Sequence, residues 1–156
     1  MHTTGSWPST TASSASWPSD VPGPDHRDEP RWLTESMLLA IHARQIERYG
    51  GAHGILDGNV VRSALARPIH RWAYDGRADL PDLAAAYLVG FSRSQGFRDG
   101  NKRTGLAGSL VFLALNGYEL HVPAGELYTL CMKAATGGAD DQAVAAYLRL
   151  RLEARE

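Results

Sequence analysis

Ser94-Gln95-Gly96-Phe97-Arg98-Asp99-Gly100-Asn101-Lys102-Arg103-Thr104, running straight into the apolar stretch from Gly105 to Leu115, is the part of the sequence that decides the fold. The stretch carries Leu106, Ala107, Leu110, Val111, Phe112, Leu113 and Leu115, so it is apolar nearly all round, the mark of a helix enclosed by other elements. This predicts a buried central helix from Lys102 to Asn116, closed by Gly117. The residues in front of it have the opposite character. Gly100 lets the backbone approach a ligand closely. Unpaired N–H groups and the positive dipole end at the start of a helix favour an anion. Arg103 can grip a phosphate with two hydrogen bonds, and Lys102 adds a point charge, with Arg98 close by. Asn101 can donate from its amide to a phosphate oxygen. Asp99 can hold Mg²⁺, which takes one or two carboxylates together with phosphate oxygens. Taken alone, Asp-Gly-Asn is also an ordinary turn, and Lys-Arg an ordinary solvated first turn.

Working outward, the pattern is helical on both sides. Thr34 can cap a helix to about Arg48, with Leu38, Ile41 and Ile46 as apolar contacts and Gly50-Gly51 as its end. A short helix is expected after Gly58, through Val60, Val61, Ala64 and Leu65, stopping before Pro68. Residues 68 to 79 mix aromatic and charged side chains without a period and are expected to form an irregular flap or hairpin. Leu83, Ala84, Tyr87, Leu88 and Phe91 make one stripe of a helix from Leu80 to Ser94. Pro123 suits the first turn of a further helix ending at Gly137-Gly138. Asp140-Asp141 opens a last one carrying Val144, Tyr147, Leu148 and Leu152. No segment reads as a strand, so the expected class is all-α, with an ordered domain over 31–152. Residues 1–30 are rich in Ser, Thr, Pro and Gly and are expected to be a disordered tail. The repeat Ser6-Trp7-Pro8-Ser9 and Ser16-Trp17-Pro18-Ser19 reads as a duplicated linker fragment or, less simply, as a partner-docking element.

The totals set limits. A chain of 156 residues, 44% hydrophobic, has room for one ordinary core. A net charge of −1 argues against a surface given over to nucleic acid or membrane. No apolar run approaches the roughly 18 residues that span a bilayer, and the N-terminus does not read as a signal peptide. The expected location is the cytoplasm. The single cysteine, Cys131, reads as a small buried side chain. The basic residues are unevenly spread: Arg62, Arg67, Arg71, Arg77, Arg93, Arg98, Lys102 and Arg103 fall between 62 and 103, against the acids Asp75, Asp79, Asp82 and Asp99.

Phe97-Arg98-Asp99-Gly100-Asn101-Lys102-Arg103-Thr104 resembles the signature loop of the Fic/Doc family, in which His-x-Phe precedes Asp/Glu-Gly/Ala-Asn-Gly/Lys-Arg. Ile41-His42, Tyr49-Gly50-Gly51, Ser63-Ala64-Leu65-Ala66-Arg67-Pro68 and Leu113-Ala114-Leu115-Asn116-Gly117-Tyr118 are similar to its Doc (death-on-curing) branch in kind and order, over essentially all of 31–152. The resemblance implies a helical fold with the loop leading into the central helix, and ATP or another nucleotide as donor. Asp99 would hold Mg²⁺ on nucleotide phosphates. Gly100, Asn101 and Arg103 would build the anion hole, and Phe97 would anchor the loop. Lys102 in place of glycine is Doc-like, and that branch phosphorylates a hydroxyl of a translation factor, where typical Fic enzymes transfer AMP. Doc-like proteins are commonly toxins paired with an antitoxin. The Ser/Thr-x-x-x-Glu-Gly/Asn inhibitory motif of many Fic proteins does not occur in this chain.

The departure comes at the first position. Gln95 stands where the family has its histidine, the general base, and Gly96 where it usually has proline. Glutamine can orient a hydroxyl but cannot take its proton. Losing a general base lowers a rate by about 10²–10⁴-fold, or roughly 3–5 kcal/mol of barrier. Positioning and charge neutralisation, which supply most of phosphoryl-transfer catalysis, would remain. Substitute bases would come from the expected flap (His70, Tyr74, Asp75) or from His53. Three readings follow: a transferase with altered chemistry, a pseudoenzyme that binds nucleotide or a partner, and an enzyme repurposed for another reaction, for example a biosynthetic one. The missing proline is expected to loosen the loop.

Overall fold

A computed structural model describes residues 28–155. Among these residues, six helices and one pair of short strands follow in order: α1 Glu35–Tyr49, α2 Gly58–Tyr74, α3 Leu80–Ser92, α4 Asn101–Leu115, β1 Tyr118–Leu120, α5 Ala124–Thr136, α6 Asp141–Arg151 and β2 Leu152–Ala154. The chain is mostly helical, as its pattern requires.

Most helix starts follow from capping. Thr34 Oγ1 accepts the Met37 N–H at the head of α1. Asp57 accepts from Asn59 and Val60 at the head of α2, Asp79 from Asp82 at α3, and Asp140 from Ala143 at α6. Each side-chain acceptor satisfies backbone donors that the helix leaves unpaired.

α3 is the most enclosed element. Leu83 to Val89, Phe91 and Ser92 are all buried, because α3 packs against α2, α4, α5 and α6. α4 lies beside it. An added Cβ at Gly105 would stand 3.0 Å from both the Leu88 carbonyl oxygen and Phe91 Cβ, so glycine there lets the two helices approach closely. Trp32 stacks on Phe112 at 5.8 Å and meets Trp72 edge-on at 6.2 Å, closing the core beneath α2.

Two expectations are overturned. α2 does not stop before Pro68; it runs through that proline to Tyr74, so residues 68–74 are helix and not a flap. Val61, Ala64, Pro68 and Trp72 are buried on one face of α2 at helical spacing. Burying an indole at the far end of the stripe outweighs one lost backbone hydrogen bond. Strands also occur where none was expected. β1 and β2 pair antiparallel, Tyr118 opposite Ala154 and Leu120 opposite Leu152, so Leu152 leaves α6 to enter the ladder. Two runs of three residues over 30 positions apart are too short for a period-2 signal. The expectations for residues 1–27, including the Ser-Trp-Pro-Ser repeat, lie outside the described residues.

Candidate functional site

α3 ends at Ser92 and α4 begins at Asn101, so residues 93–100 form the loop between the two best-buried helices. Phe97 is fully buried. Its ring stacks on the His42 imidazole, with centroids 3.8 Å apart and planes 9° from parallel, and lies 6.5 Å from the Phe91 ring. Asn101 Oδ1 accepts the Phe97 N–H at 3.0 Å, and Asn101 Nδ2 donates to the Phe97 carbonyl at 2.9 Å. His42 Nε2 donates to the Asp99 carbonyl at 2.8 Å. Burial pushes the His42 pKa below its ordinary value of 6.5, against the pull of that hydrogen bond, so the ring is neutral at pH 7 with the proton on Nε2.

Gly100 adopts φ 81° and ψ 16°, a left-handed conformation that suits glycine, and its carbonyl accepts the Thr104 N–H to start α4. Unlike α1, α2, α3 and α6, α4 has no side chain capping its N-terminus, and its first turn carries no acid. Its leading N–H groups and dipole end therefore stay open to an anion. Thr104, in that first turn, is fully buried, and its hydroxyl has no hydrogen-bond partner among the described residues.

The segment from Gly50 to Asp57 lies across this loop. Ala52 N–H donates to Asp99 Oδ2 at 2.7 Å, and Arg98 N–H to the Gly54 carbonyl at 3.1 Å. Leu56 and Asp57 both donate to the Gly96 carbonyl, at 2.8 and 3.0 Å. Arg103 donates to the carbonyls of Gln45 and Gly50 at 3.2 and 3.0 Å, with its guanidinium 5.5 Å from the Tyr49 ring centre. Ile55 and Leu56 are exposed on this segment, as is Tyr49 at the end of α1 before it. The element that covers the loop is thus 50–57, not 68–79.

The sequence-derived candidates fall into two groups. Gln95, Arg98, Asp99 and Lys102 are exposed on or beside the loop, and Gly100 and Arg103 are half-buried within it. Asn101 is buried, and its amide braces Phe97. Much of the expected basic concentration is tied up elsewhere: Arg67 to Asp141 and the Ala86 carbonyl, Arg71 to Asp75 and Asp82, Arg93 to the carbonyls of Ala134 and Ala139. His70 and Tyr74 line a cleft of about 550 Å³ between α2 and α3 that reaches Ser94, next to Gln95. Among the substitute bases, His53 is exposed on the 50–57 segment. Cys131 is buried, as expected, with Sγ 3.4 Å from Ser92 Oγ and 3.2 Å from the Lys102 carbonyl. Sequence reasoning missed His42 as the support of the loop; its signals were a polar residue on the apolar face of α1 and the likeness of Ile41-His42 to the Doc branch. Gly96 is not loose, because its buried backbone is pinned by two N–H donors.

A geometry in which every neighbour serves to present one loop at the head of α4 coincides with a sequence match. The sequence model of the Fic/DOC family matches residues 32–113, a span that covers α1 through most of α4. The chain belongs to the Fic/DOC family. It is similar to the protein kinase doc of Escherichia phage P1, 38% identical over 119 residues, or 76% of this chain and 94% of that protein. It is also similar to the toxin Doc of Mycolicibacterium smegmatis, 37% identical over 73 residues, or 46% of this chain and 56% of that one. Among the described residues no helix is long and apolar enough to cross a membrane.

Proposed function

We propose that this Fic/DOC member is a Doc-like transferase that moves a phosphate or nucleotidyl group from ATP or another nucleotide to a hydroxyl, with Gln95 in place of the family's base. The observation that carries the reading is the uncapped N-terminus of α4, preceded by left-handed Gly100 and flanked by Arg98, Lys102 and Arg103. An anionic phosphate there meets open N–H donors, the helix dipole and three cations. Lys102 and Arg98 are exposed enough to swing onto it, and Arg103 keeps N–H donors beyond the two that it gives to Gln45 and Gly50.

Asp99 suits Mg²⁺ only in company. It is an exposed carboxylate with one oxygen on the Ala52 N–H, and no group of three or more possible metal ligands occurs among the described residues. A hard cation that keeps several waters and binds one carboxylate plus phosphate oxygens fits such a donor set. Bound there, Mg²⁺ would neutralise charge on the phosphates. Gln95 would hold the acceptor hydroxyl by its amide, and the deprotonation would fall to solvent or to a base such as His53 or His70. A translation factor is the acceptor class suggested by the Doc resemblance. Because the two relatives carry toxin and kinase names, an antitoxin is the expected partner.

A second reading, nucleotide binding without transfer, is favoured by Gln95 alone, which has no titratable group. Mass spectrometry of cell-extract proteins incubated with this protein and ATP separates the two. A mass gain of phosphate or of a nucleotidyl group, absent with Asp99→Ala, supports transfer. No modification, with nucleotide bound, supports the second reading.

A further inference from the structure

Gly96 owes its identity to space rather than to backbone conformation. A Cβ built on it would lie 2.6 Å from Val61 Cγ2, 3.1 Å from Val61 N and 3.3 Å from Val61 Cα. Its φ is not among the positive values of the chain. Val61 is itself buried and sits in the first turn of α2, where its N–H donates to the Asp57 carbonyl. Asp57 caps that helix through Asn59 and Val60, and its own N–H, with that of Leu56, is bonded to the Gly96 carbonyl. The loop is therefore wedged against the head of α2 at one residue, and that residue is the immediate neighbour of Gln95. On the other side Phe97 is fixed by Asn101. Gln95 is thus aimed by a backbone that has almost no freedom at the two residues following it.

We propose that Val61 is a positioning residue for position 95: its γ-methyl occupies the space that a side chain at 96 would need, and so fixes the backbone from which Gln95 projects. The two departures from the family motif, Gln95 and Gly96, are then linked through a third residue on a different helix. The family's proline cannot be restored at 96 while valine stands at 61. Truncating Val61 removes the 2.6 Å contact and leaves those of 3.1 and 3.3 Å, which a shift of a few tenths of an ångström relieves. The functional half of this inference rests on the transferase reading; the steric half does not.

The test has two arms. In the first, thermal unfolding is followed for wild type, Val61→Ala, Gly96→Ala and the double variant. Overpacking a buried contact is destabilising, so Gly96→Ala alone should lower the midpoint by about 5 °C or more, and the same change in the Val61→Ala background by less than half as much. Equal losses from Gly96→Ala in the two backgrounds overturn the proposal. In the second arm, Gln95→His/Gly96→Pro is assayed for labelled-phosphate transfer with and without Val61→Ala. At least a tenfold higher kcat per folded molecule with Val61→Ala, the folded fraction of each variant being measured by circular dichroism, supports positioning, since a repair of folding alone raises the amount of active enzyme and leaves kcat per folded molecule unchanged. Equal kcat in both backgrounds contradicts it. If the first arm shows the coupling and no nucleotide-binding variant that carries Gln95→His transfers anything, the steric pairing stands and the transferase reading falls.

Discussion

Asn101 grips Phe97 by both ends of its amide, accepting the Phe97 N–H at 3.0 Å and donating to the Phe97 carbonyl at 2.9 Å. This ring is closed inside the protein and fixes the loop one turn before the helix it feeds. Asn101→Ala strands a buried donor and a buried acceptor. The expected loss is about 2–4 kcal/mol in urea unfolding, since each unmet buried group costs about 1–3 kcal/mol. A loss below about 1 kcal/mol would mean that the clamp does not hold the loop.

Thr104 presents the reverse case. Its hydroxyl is buried without a partner among the described residues, so replacing it by an isosteric methyl removes a desolvation penalty. Thr104→Val should be neutral or stabilising by up to about 1 kcal/mol in the same assay. A clear destabilisation would reveal a hydrogen bond that the hydroxyl makes in solution.

His42→Phe keeps an aromatic ring against Phe97 and discards the hydrogen bond to the Asp99 carbonyl. Nucleotide affinity should fall about tenfold, the worth of one hydrogen bond that positions Asp99, while far-UV circular dichroism stays that of wild type. Unchanged affinity would show that the stacking alone aligns the loop.

The pH dependence of stability should be visible at Asp79. Desolvation pushes its pKa up, but hydrogen bonds from Arg149 and from the Asp82 N–H outweigh it, and the net value lies below the ordinary 3.8. A carboxyl with a depressed folded pKa contributes stability above its unfolded pKa and loses it as the pH falls through the folded one. Arg149 reaches it from α6 with Nε and Nη2, both at 2.9 Å. Asp79→Asn keeps a good cap and drops the charge. The stability gap between wild type and this variant should therefore be widest at pH 7 and shrink below about pH 4. A gap that stays constant down to about pH 2.5 would contradict the assignment.

What the sequence made legible, and what it hid, follows from the range of each interaction. The cap at Thr34, the helix start at Asp140 and the stripe of α3 are local, and they appear in the structure within a residue or two. The loop at 95–101 and the run behind it were also readable, because an apolar helix and a charged head abut in the chain. Pro68 misled because its local penalty is visible in sequence and the burial of Trp72 that overrides it is not. Of the 50–57 segment the sequence showed only Gly50-Gly51 as a helix end and His53 as a possible base. Its task depends on hydrogen bonds to residues more than 40 positions away, such as Ala52 to Asp99. The bracing of Phe97 by Asn101 went unread although its partner is only four residues back, because the family motif drew attention to a ligand contact.

Gln95 is exposed and lies next to Ser94 at the end of the α2–α3 cleft. If its amide orients the acceptor, Gln95→Ala should lower transfer about tenfold with nucleotide affinity unchanged, roughly the loss of one neutral hydrogen bond. Gln95→His should raise transfer by about 10²-fold or more, through an imidazole with a pKa near 6.5. Alanine without effect would make Gln95 a bystander and move the search for a base to His53 and His70.

Calorimetric titration of ATP with Mg²⁺ into wild type, Arg103→Ala and Arg98→Ala tests the phosphate site most directly. Arg103 is half-buried beside the open end of α4, and Arg98 is exposed. Wild type should bind, Arg103→Ala should bind more weakly by about 1.5–3 kcal/mol, and Arg98→Ala should lose less, in keeping with the worth of a hydrogen bond to a charged group. No binding by wild type at millimolar nucleotide, or equal affinity in a folded Arg103→Ala variant, would contradict a phosphate site at the head of α4.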